Sequence, residues 1–527
     1  MARLALISLP FTKPCEPGLS AAAAAAWMAA RGVDAFAVDA SLEWMAEAVA
    51  PDALADIARA RVDLPPHLAL SLRPGGTGLE ALRRPETYAD RRTYSSAVSR
   101  LTNALALASS PWEDIEVRVG DVASRRLRPQ SSQDLETAAR TPGPFDAYFT
   151  RTLIPRLLAS GVTHVGLSLA FLHQAFAAWR LAHVLETQAP SLQRWLGGPL
   201  VACWKAAGAP MDAPAFHRFH AVVGADTDSD MDALAVTLGG CSEGPRPMLA
   251  PDLDAMPWDA YLAPVPVVPA ALGRGCYWRR CTFCPDHLHA AYGPCGQDTL
   301  ARWLEAVAAR FPQGAMLHFT DSACAPNLLD RVATTIQRGR LPLRWHGFVR
   351  MEARFADPAF TRHLTEGGCA MLQWGVETAS PRLLARLEKG VDPDRARAVL
   401  RSAGQAGLRS HAYLLFGLPG ETDADREATL AFVQSEAAHL HDLNVSLLNL
   451  PRQSPMHRAA AAYGITELRP FGQEADLSLY DDFRCGDSHP RLEARRWLGR
   501  VFTKDPSVKA LLGNLNHPFK ANHACFL

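Results

Sequence analysis

Three cysteines within nine residues constrain this chain more than any other feature of its sequence. Cys276, Cys281 and Cys284 are spaced C-x4-C-x2-C in the stretch Gly273-Arg-Gly-Cys-Tyr-Trp-Arg-Arg-Cys-Thr-Phe-Cys284. Clustered thiolates are soft ligands that select zinc or iron–sulfur centres over hard cations. Three thiolates on one loop suit a cubane iron–sulfur cluster with one iron left open. Glycines on both sides of Arg274 let the backbone approach such a cluster closely.

Two other interpretations of the cysteines stay open at this point. A structural zinc site takes four closed ligands, and His287 or His289 could supply the fourth. The three cysteines could also be ordinary core residues. The chain has 11 cysteines in 527 residues, three of them bunched, which favours metal binding in a reducing compartment over a disulfide framework.

Length and charge limit the classes of protein to which the chain can belong. A chain of 527 residues is expected to form two or three domains. Its 54 basic and 54 acidic residues balance, so nothing indicates a general attraction to nucleic acid or to a membrane surface. No apolar run has the length of a membrane span. We therefore expect a cytoplasmic protein with no nucleic-acid partner and no membrane insertion.

Residues 1–250 predict a doubly wound α/β domain. Leu4–Leu9 has the apolar run of a buried strand, an alanine-rich helix follows with Ser20 as its cap, and Asp34–Asp39 is the next strand. Such sheets bind ligands at the carboxyl ends of their strands, which directs attention to the loop Pro10–Gly18. Residues 50–140 are mostly helical in pattern and read as an insertion.

The second half of the chain alternates strands and helices. Six predicted strands between residues 262 and 465 indicate a parallel βα barrel, whose sites form at the carboxyl ends of the strands. Polar or glycine residues follow those strands: Asp321, Ser322, Arg350, Glu377, Thr378 and Gly417. Residues 466–527 carry no motif and are expected to form a small cap of unknown role at the barrel mouth.

From Leu4 to Ile465, and least clearly over residues 50–140, the chain resembles the cobalamin-dependent branch of the radical S-adenosylmethionine (SAM) superfamily. That superfamily usually spaces its cysteines C-x3-C-x2-C, so the loop is one residue longer here. The resemblance implies a [4Fe-4S] cluster on Cys276, Cys281 and Cys284 and a partial (βα)6 radical SAM barrel. The SAM-binding residues that it implies are Phe283, Asp321, Ser322, Arg350, Glu377, Thr378 and Gly417.

The matched motifs give some of these residues a role by resemblance. Asp321-Ser322 stands where the superfamily holds the methionyl amino group of SAM. Gly375-Val-Glu377-Thr378 resembles a Gly-x-Glu-Ser motif whose glutamate contacts the ribose hydroxyls, as a carboxylate is suited to do. Phe283 resembles the residue that packs near the adenine.

A second resemblance concerns the N-terminal domain. Ser168-Leu-Ala170 is followed after 26 residues by Gly197-Gly198, similar to the Ser-x-Leu and Gly-Gly motifs of Rossmann-like cobalamin-binding domains, with Ala170 in place of the leucine. Ser168, Gly197 and Gly198 would then line a slot for the nucleotide tail of cobalamin. The Asp-x-His-x-x-Gly motif that supplies a cobalt ligand is absent, so no histidine of this domain is expected to hold cobalt.

The resemblance implies an enzyme that cleaves SAM reductively and methylates an unactivated carbon. It would need an external electron donor such as flavodoxin or ferredoxin, and a small-molecule or peptide substrate that the sequence does not reveal. One alternative is a cobalamin-dependent radical SAM oxidoreductase, or a rearranging or ring-forming enzyme, that transfers no methyl group. A further alternative is a non-catalytic protein that only binds an iron–sulfur cluster or cobalamin.

Overall fold

A computed structural model of the chain describes residues 2–61, 63–225, 227–244, 246–288, 291–472, 474–513 and 519–527, without the side chains of residues 287, 288, 520 and 521. Two parallel sheets confirm the α/β fold that the sequence predicts. None of the helices in these ranges is both long enough and apolar enough to cross a membrane.

The N-terminal sheet has five parallel strands. The strands of the first 250 residues are β1 (Arg3–Ser8), β2 (Asp34–Asp39), β3 (Ile115–Arg118), β4 (Asp121–Ser124), β5 (His164–Ser168), β6 (Gln193–Gly197) and β7 (Ala221–Val222). The sheet order is β2-β1-β5-β6-β7, and β3 and β4 form a separate hairpin. The order reverses between β1 and β5, and open α/β sheets bind ligands at such a switch point.

Helices cover this sheet and fill the insertion. They are α1 (Leu19–Ala29), α2 (Ala40–Ala48), α3 (Pro51–Arg59), α4 (Pro66–Ala69), α5 (Leu79–Leu82), α6 (Arg91–Ser109), α7 (Ser132–Arg140), α8 (Asp146–Tyr148), α9 (Ile154–Ala159), α10 (Ala175–Gln188), α11 (Pro199–Ala206) and α12 (Asp228–Thr237). The helix α1 begins one residue before Ser20, and its cap, Gly18, makes no side-chain capping bond. The predicted cap was therefore wrong, because the Ser20 hydroxyl pairs instead with the Ser168 hydroxyl at 2.8 Å.

The second parallel sheet has six strands. The strands of this region are β8 (Val267–Ala270), β9 (Gly273–Arg274), β10 (Gly293–Pro294), β11 (Ala315–Phe319), β12 (Leu343–Arg350), β13 (Cys369–Glu377), β14 (Arg409–Phe416) and β15 (Asp442–Leu447). The order β15-β14-β13-β12-β11-β8 follows the chain, which confirms the predicted succession of six strands. Its helices are α13 (Gln297–Arg310), α14 (Pro326–Gly339), α15 (Pro358–Glu366), α16 (Pro381–Arg386), α17 (Pro393–Gln405) and α18 (Asp423–Glu436).

The C-terminal segment divides between two places. A three-stranded antiparallel sheet joins β16 (Leu450–Pro451), β17 (Glu467–Pro470) and β18 (Tyr480–Arg484). It packs with Leu387, Leu418 and Phe283 in one apolar cluster at the barrel mouth. The helices α19 (Pro455–Arg458), α20 (Pro490–Arg500), α21 (Pro506–Leu512) and α22 (Lys520–His523) complete the chain.

The last residues lie at the other end of the barrel, away from the mouth that the sequence assigned to this segment. Ala524 and Cys525 pack against Val267 and Met316, at the starts of β8 and β11. The buried His523 ring accepts or donates a 2.9 Å hydrogen bond with the Tyr94 hydroxyl of the N-terminal domain. The tail therefore ties the two domains together below the barrel.

Candidate functional site

The cysteine loop is held at the barrel mouth by backbone and side-chain hydrogen bonds. Thr282 donates its amide to Leu387 O at 3.0 Å and its hydroxyl to Arg386 O at 3.2 Å. Trp278 Nε1 donates to Glu388 O at 2.9 Å. These bonds fix the loop to the end of α16 and the segment that follows it.

Two left-handed residues shape this loop. Gly275 has φ +70° and Arg279 has φ +50°. A left-handed conformation is routine for glycine but rare for arginine. Arg279 lies between the first two cysteines, where this chain has one residue more than the usual spacing, and its tight backbone takes up that residue.

Cations lie beside the thiols. Arg350 Nη1 is 3.7 Å from Cys281 Sγ, and its guanidinium stacks over the Trp278 ring at 3.9 Å. Burial raises the pKa of Cys281, and the charges of Lys389 and Arg350 partly oppose that rise. Burial also raises the pKa of Cys284.

The cations beside Cys281 suit a negatively charged cluster on the loop. All three cysteines are free and half-buried, and thiolate ligands carry negative charge that nearby cations stabilise. No three His, Cys, Asp or Glu side chains among the described residues converge closely enough to hold a single metal ion. Of the histidines considered for zinc, His289 and the side chain of His287 lie outside the described part of the chain.

Glu377 and Lys389 form a buried ion pair next to the loop. Lys389 Nζ donates to Glu377 Oε1 at 2.7 Å, and the side chains are 5% and 12% exposed. Glu377 has φ +64° and lies at a register shift where β13 ends. A Cβ at Gly375 would lie 2.9 Å from Lys389 Nζ and 3.2 Å from Glu377 Oε1, so a larger residue there would displace the pair. Lys389 is a site residue that the sequence reasoning missed.

The Asp321 carboxylate is already engaged by the backbone. Its Oδ2 accepts from the Leu272 amide at 2.8 Å, and burial raises its pKa to about 6 although backbone donors oppose the rise. Asp321 thus holds the turn that leads into the cysteine loop. Ser322 lines the adjoining cavity.

Two other residues singled out from the sequence lie in turns behind the mouth. The Thr378 hydroxyl bonds to the Thr429 hydroxyl at 3.1 Å on α18, which commits its side chain to packing. Gly417 has φ +75° and donates its amide to Glu421 Oε2 at 2.8 Å. Any contact of these two residues with a bound ligand would come from their backbones.

The residues of the predicted cobalamin slot stand together at the switch point of the first sheet. Ser8, Ser168 and Gly197 are register partners at the carboxyl ends of β1, β5 and β6. Gly198 has φ +105°, and a Cβ there would lie 2.7 Å from the Leu169 carbonyl oxygen. The glycine pair therefore lets the start of α11 close against the end of β5.

One cavity of about 950 Å³ joins the two halves of the chain. Ser168, Gly197 and Gly198 line one side, and Asp321 and Ser322 line the other. The backbone of Gly273–Gly275, just before the first cysteine, also borders it. Phe283, Arg350, Glu377, Thr378 and Gly417 do not line this cavity; Arg350 and Glu377 lie around the loop next to Cys281 and Lys389.

Parts of the chain are similar to known proteins. Residues 271–433 match the model of the radical SAM superfamily. The uncharacterised methyltransferase PH0819 of Pyrococcus horikoshii is 27% identical over 205 residues, which cover 37% of this chain and 44% of that protein. The uncharacterised protein MK0932 of Methanopyrus kandleri is 48% identical over 149 residues, covering 28% of this chain and 27% of that protein. The chain thus spans less than half the length of these curated relatives.

Two solved structures resemble the chain at low identity. The radical SAM methyltransferase TsrM from Kitasatospora setae, with cobalamin and a [4Fe-4S] cluster bound, has 16% identity and a TM-score of 0.46, covering 67% of this chain and 82% of its own. The cobalamin-dependent radical SAM enzyme OxsB, with aqua-cobalamin and SAM bound, has 15% identity and a TM-score of 0.45, covering 60% and 50%.

Proposed function

We propose that this chain, whose residues 271–433 match the model of the radical SAM superfamily, is a cobalamin-dependent radical SAM methyltransferase. The observation that carries the proposal is the single cavity between the two sheets. It brings the slot residues Ser168, Gly197 and Gly198 to the same space as Asp321, Ser322 and the turn before Cys276. A carrier that only bound a cluster or cobalamin would not need the two sites to share one space.

The chain would hold three groups with the residues described above. Cys276, Cys281 and Cys284 would bind a [4Fe-4S] cluster, which when bound supplies the electron for reductive cleavage of SAM. Lys389 occupies Glu377 Oε1, so Oε2 would be the oxygen that accepts a ribose hydroxyl of SAM. Ser168 and the glycine pair would admit the nucleotide tail of cobalamin.

The protein's own part is orientation and shielding. Arg350 lies over Trp278 and beside Cys281, where its charge would offset that of the loaded loop. Asp321 fixes the turn at Leu272, which sets the position of the loop relative to the cavity. The antiparallel sheet over the mouth packs against Phe283 and limits access of water from that side.

The test is anaerobic reconstitution of the full chain with iron, sulfide and cobalamin. We expect 5′-deoxyadenosine and S-adenosylhomocysteine from SAM and a reductant, together with a cob(II)alamin signal in electron paramagnetic resonance. The variant Cys276→Ala should lose cluster iron and deoxyadenosine formation, whereas Cys241→Ala, which removes an exposed free thiol, should keep both.

The products separate the alternatives. Deoxyadenosine with bound cobalamin but without S-adenosylhomocysteine, even with substrate, would favour an enzyme that does not transfer methyl. A cluster signal that ignores SAM, with no cobalamin retained, would contradict the proposal.

A further inference from the structure

The loop between β1 and α1 of the N-terminal domain enters the barrel. Its Glu16 places both carboxylate oxygens 2.9 Å from Nδ1 of His318, a residue of β11. The ring of His318 stacks on the buried ring of His346 from β12, with centroids 4.4 Å apart. A carboxylate–imidazole pair is thus built between two domains inside the barrel.

Two further side chains extend this pair into a hydrogen-bonded row. Asn522 Nδ2, from the C-terminal tail, donates to Glu16 Oε1 at 3.1 Å, and Lys13 Nζ donates to Asn522 Oδ1 at 3.1 Å. All four residues line the cavity that the two domains share. We call Lys13, Asn522, Glu16 and His318 the lumen row.

The lumen row contains a hydrogen-bond acceptor, His318 Nε2, to which none of the described residues donates. Glu16 accepts at Nδ1 of His318, so the neutral ring carries its proton there and presents Nε2 as an acceptor. No hydrogen bond from a described residue reaches that Nε2, although the ring borders the cavity. The stack on His346 holds the ring in place.

The row also has a cation that no carboxylate of the described residues contacts directly. Lys13 lies mostly away from water, and burial lowers its pKa although Glu16 opposes that effect. Among the residues that the structure describes, Lys13 makes no ion pair. A lysine withdrawn from water is costly unless it pairs with a negative group, and a ligand in the cavity can provide one.

We propose that the lumen row is the substrate subsite, and that it takes a small carboxylic acid which also bears a hydroxyl or amino donor. Lys13 pairs with the carboxylate, and His318 Nε2 accepts from the donor. Glu16 is a positioning residue that fixes the histidine tautomer. The inference rests on the proposed function, because it assigns the reacting substrate to the cavity between the SAM and cobalamin sites.

The charges of the row favour a carboxylate over a phosphate. Lys13 contributes one positive charge to the row and Glu16 one negative charge. A phosphate would bring two negative charges close to the Glu16 carboxylate, and Lys13 alone would have to balance them. A single carboxylate matches the one available lysine.

The test is binding of three acids to the reconstituted full chain by ligand-observed NMR. The probes are 4-hydroxybenzoate, 3-(4-hydroxyphenyl)propanoate and L-tyrosine, which differ in the distance between the donor and the carboxylate. Each acid is compared with its own primary amide, which lacks the negative charge. We expect at least one acid to bind tenfold or more tightly than its amide. Lys13→Met should abolish that preference, and the exposed Lys205→Met should retain it. Equal binding of acids and amides, or no binding of any acid, overturns the proposal.

A second variant and a second assay keep the result interpretable. His318→Gln should weaken an acid and its amide by the same factor, because it alters the acceptor and leaves Lys13 in place; unchanged binding of both overturns the role of His318. Formation of deoxyadenosine from SAM is measured on the same samples. If the wild-type chain forms none, the proposed function fails, while the preference for acids is judged separately from the binding data.

Discussion

At the scale of the residue, Glu377 combines a strained backbone with a buried charge. Its φ of +64° is unusual for a residue with a side chain, and such a conformation costs about 1–3 kcal/mol. Strain of this kind persists where the surroundings overdetermine it. Here the surroundings are the ion pair with Lys389 and the space that Gly375 leaves for it. A backbone outlier of this kind favours the predicted role of Glu377 in the proposed SAM site.

Removing the cation of this pair should lower the stability of the folded chain. Lys389→Met would leave the Glu377 carboxylate buried without a partner, and we expect the free energy of unfolding to fall by about 3 kcal/mol. Urea denaturation followed by circular dichroism measures the change. The double variant Glu377→Gln with Lys389→Met should regain most of the loss, since no buried charge remains. A double variant as unstable as Lys389→Met would show that the lysine acts through packing.

At the scale of the element, the turn after β14 is built around a buried carboxylate. Glu421 Oε2 accepts from the Gly417 amide at 2.8 Å and from Arg426 Nε at 3.0 Å. Burial nevertheless raises the pKa of Glu421 from 4.5 to about 7. This turn closes the strand against α20, where Gly417 approaches the Arg491 backbone.

The stability of this turn should depend on pH with a defined sign. Because Glu421 binds its proton more tightly in the folded chain than in the unfolded one, its contribution is complete below about pH 4.5 and is lost as pH rises to about 7. Relative to Glu421→Gln, the wild-type free energy of unfolding should fall by about 2 kcal/mol between pH 5 and pH 8. Urea denaturation across this range tests it, and a difference that does not change with pH would contradict it.

At the scale of the whole molecule, the cavity depends on contacts between three separated parts of the chain. The N-terminal sheet supplies Ser168 and the glycine pair, the barrel supplies Asp321, and the C-terminal tail supplies Asn522. The tail reaches that position because His523 and its neighbours pack between the domains. A ligand in this cavity would therefore stabilise the arrangement of both domains.

Filling the slot should remove one cofactor without disturbing the other. Ala24 of α1 lines the cavity, so Ala24→Phe should lower the cobalt retained after gel filtration at least tenfold and leave the iron content unchanged. Metal analysis and the visible absorption of cobalamin measure the two. Ala29→Phe is the matched control, because Ala29 is exposed on the same helix, and it should retain both metals. Equal cobalt in the two variants would place cobalamin elsewhere.

Local patterns in the amino-acid sequence predicted most of the order of elements and the soft-ligand character of the thiol loop. Short apolar runs predicted β1 and β2 of the first sheet and the six strands of the second, because strands of a parallel sheet are buried on both faces. The sequence did not predict β6 and β7. Three clustered cysteines predict a soft metal site wherever the loop lies. The glycines at 197 and 198 were likewise visible, since a strand end followed by two residues without side chains indicates close packing. These signals are local, and local spacing suffices to detect them.

Contacts between distant side chains became visible only in the folded chain. Lys389 pairs with Glu377 across a bulge, Ser20 turns from its helix end to Ser168, and Glu16 meets His318 from another domain. In the sequence, His318 interrupts the apolar run Ala315–Phe319, which was a signal for a polar barrel interior, whereas His346 lies in a strand that also contains two arginines. Their partners lie as many as 302 residues away. Contacts at that separation depend on how the domains pack, which no local pattern of residues specifies.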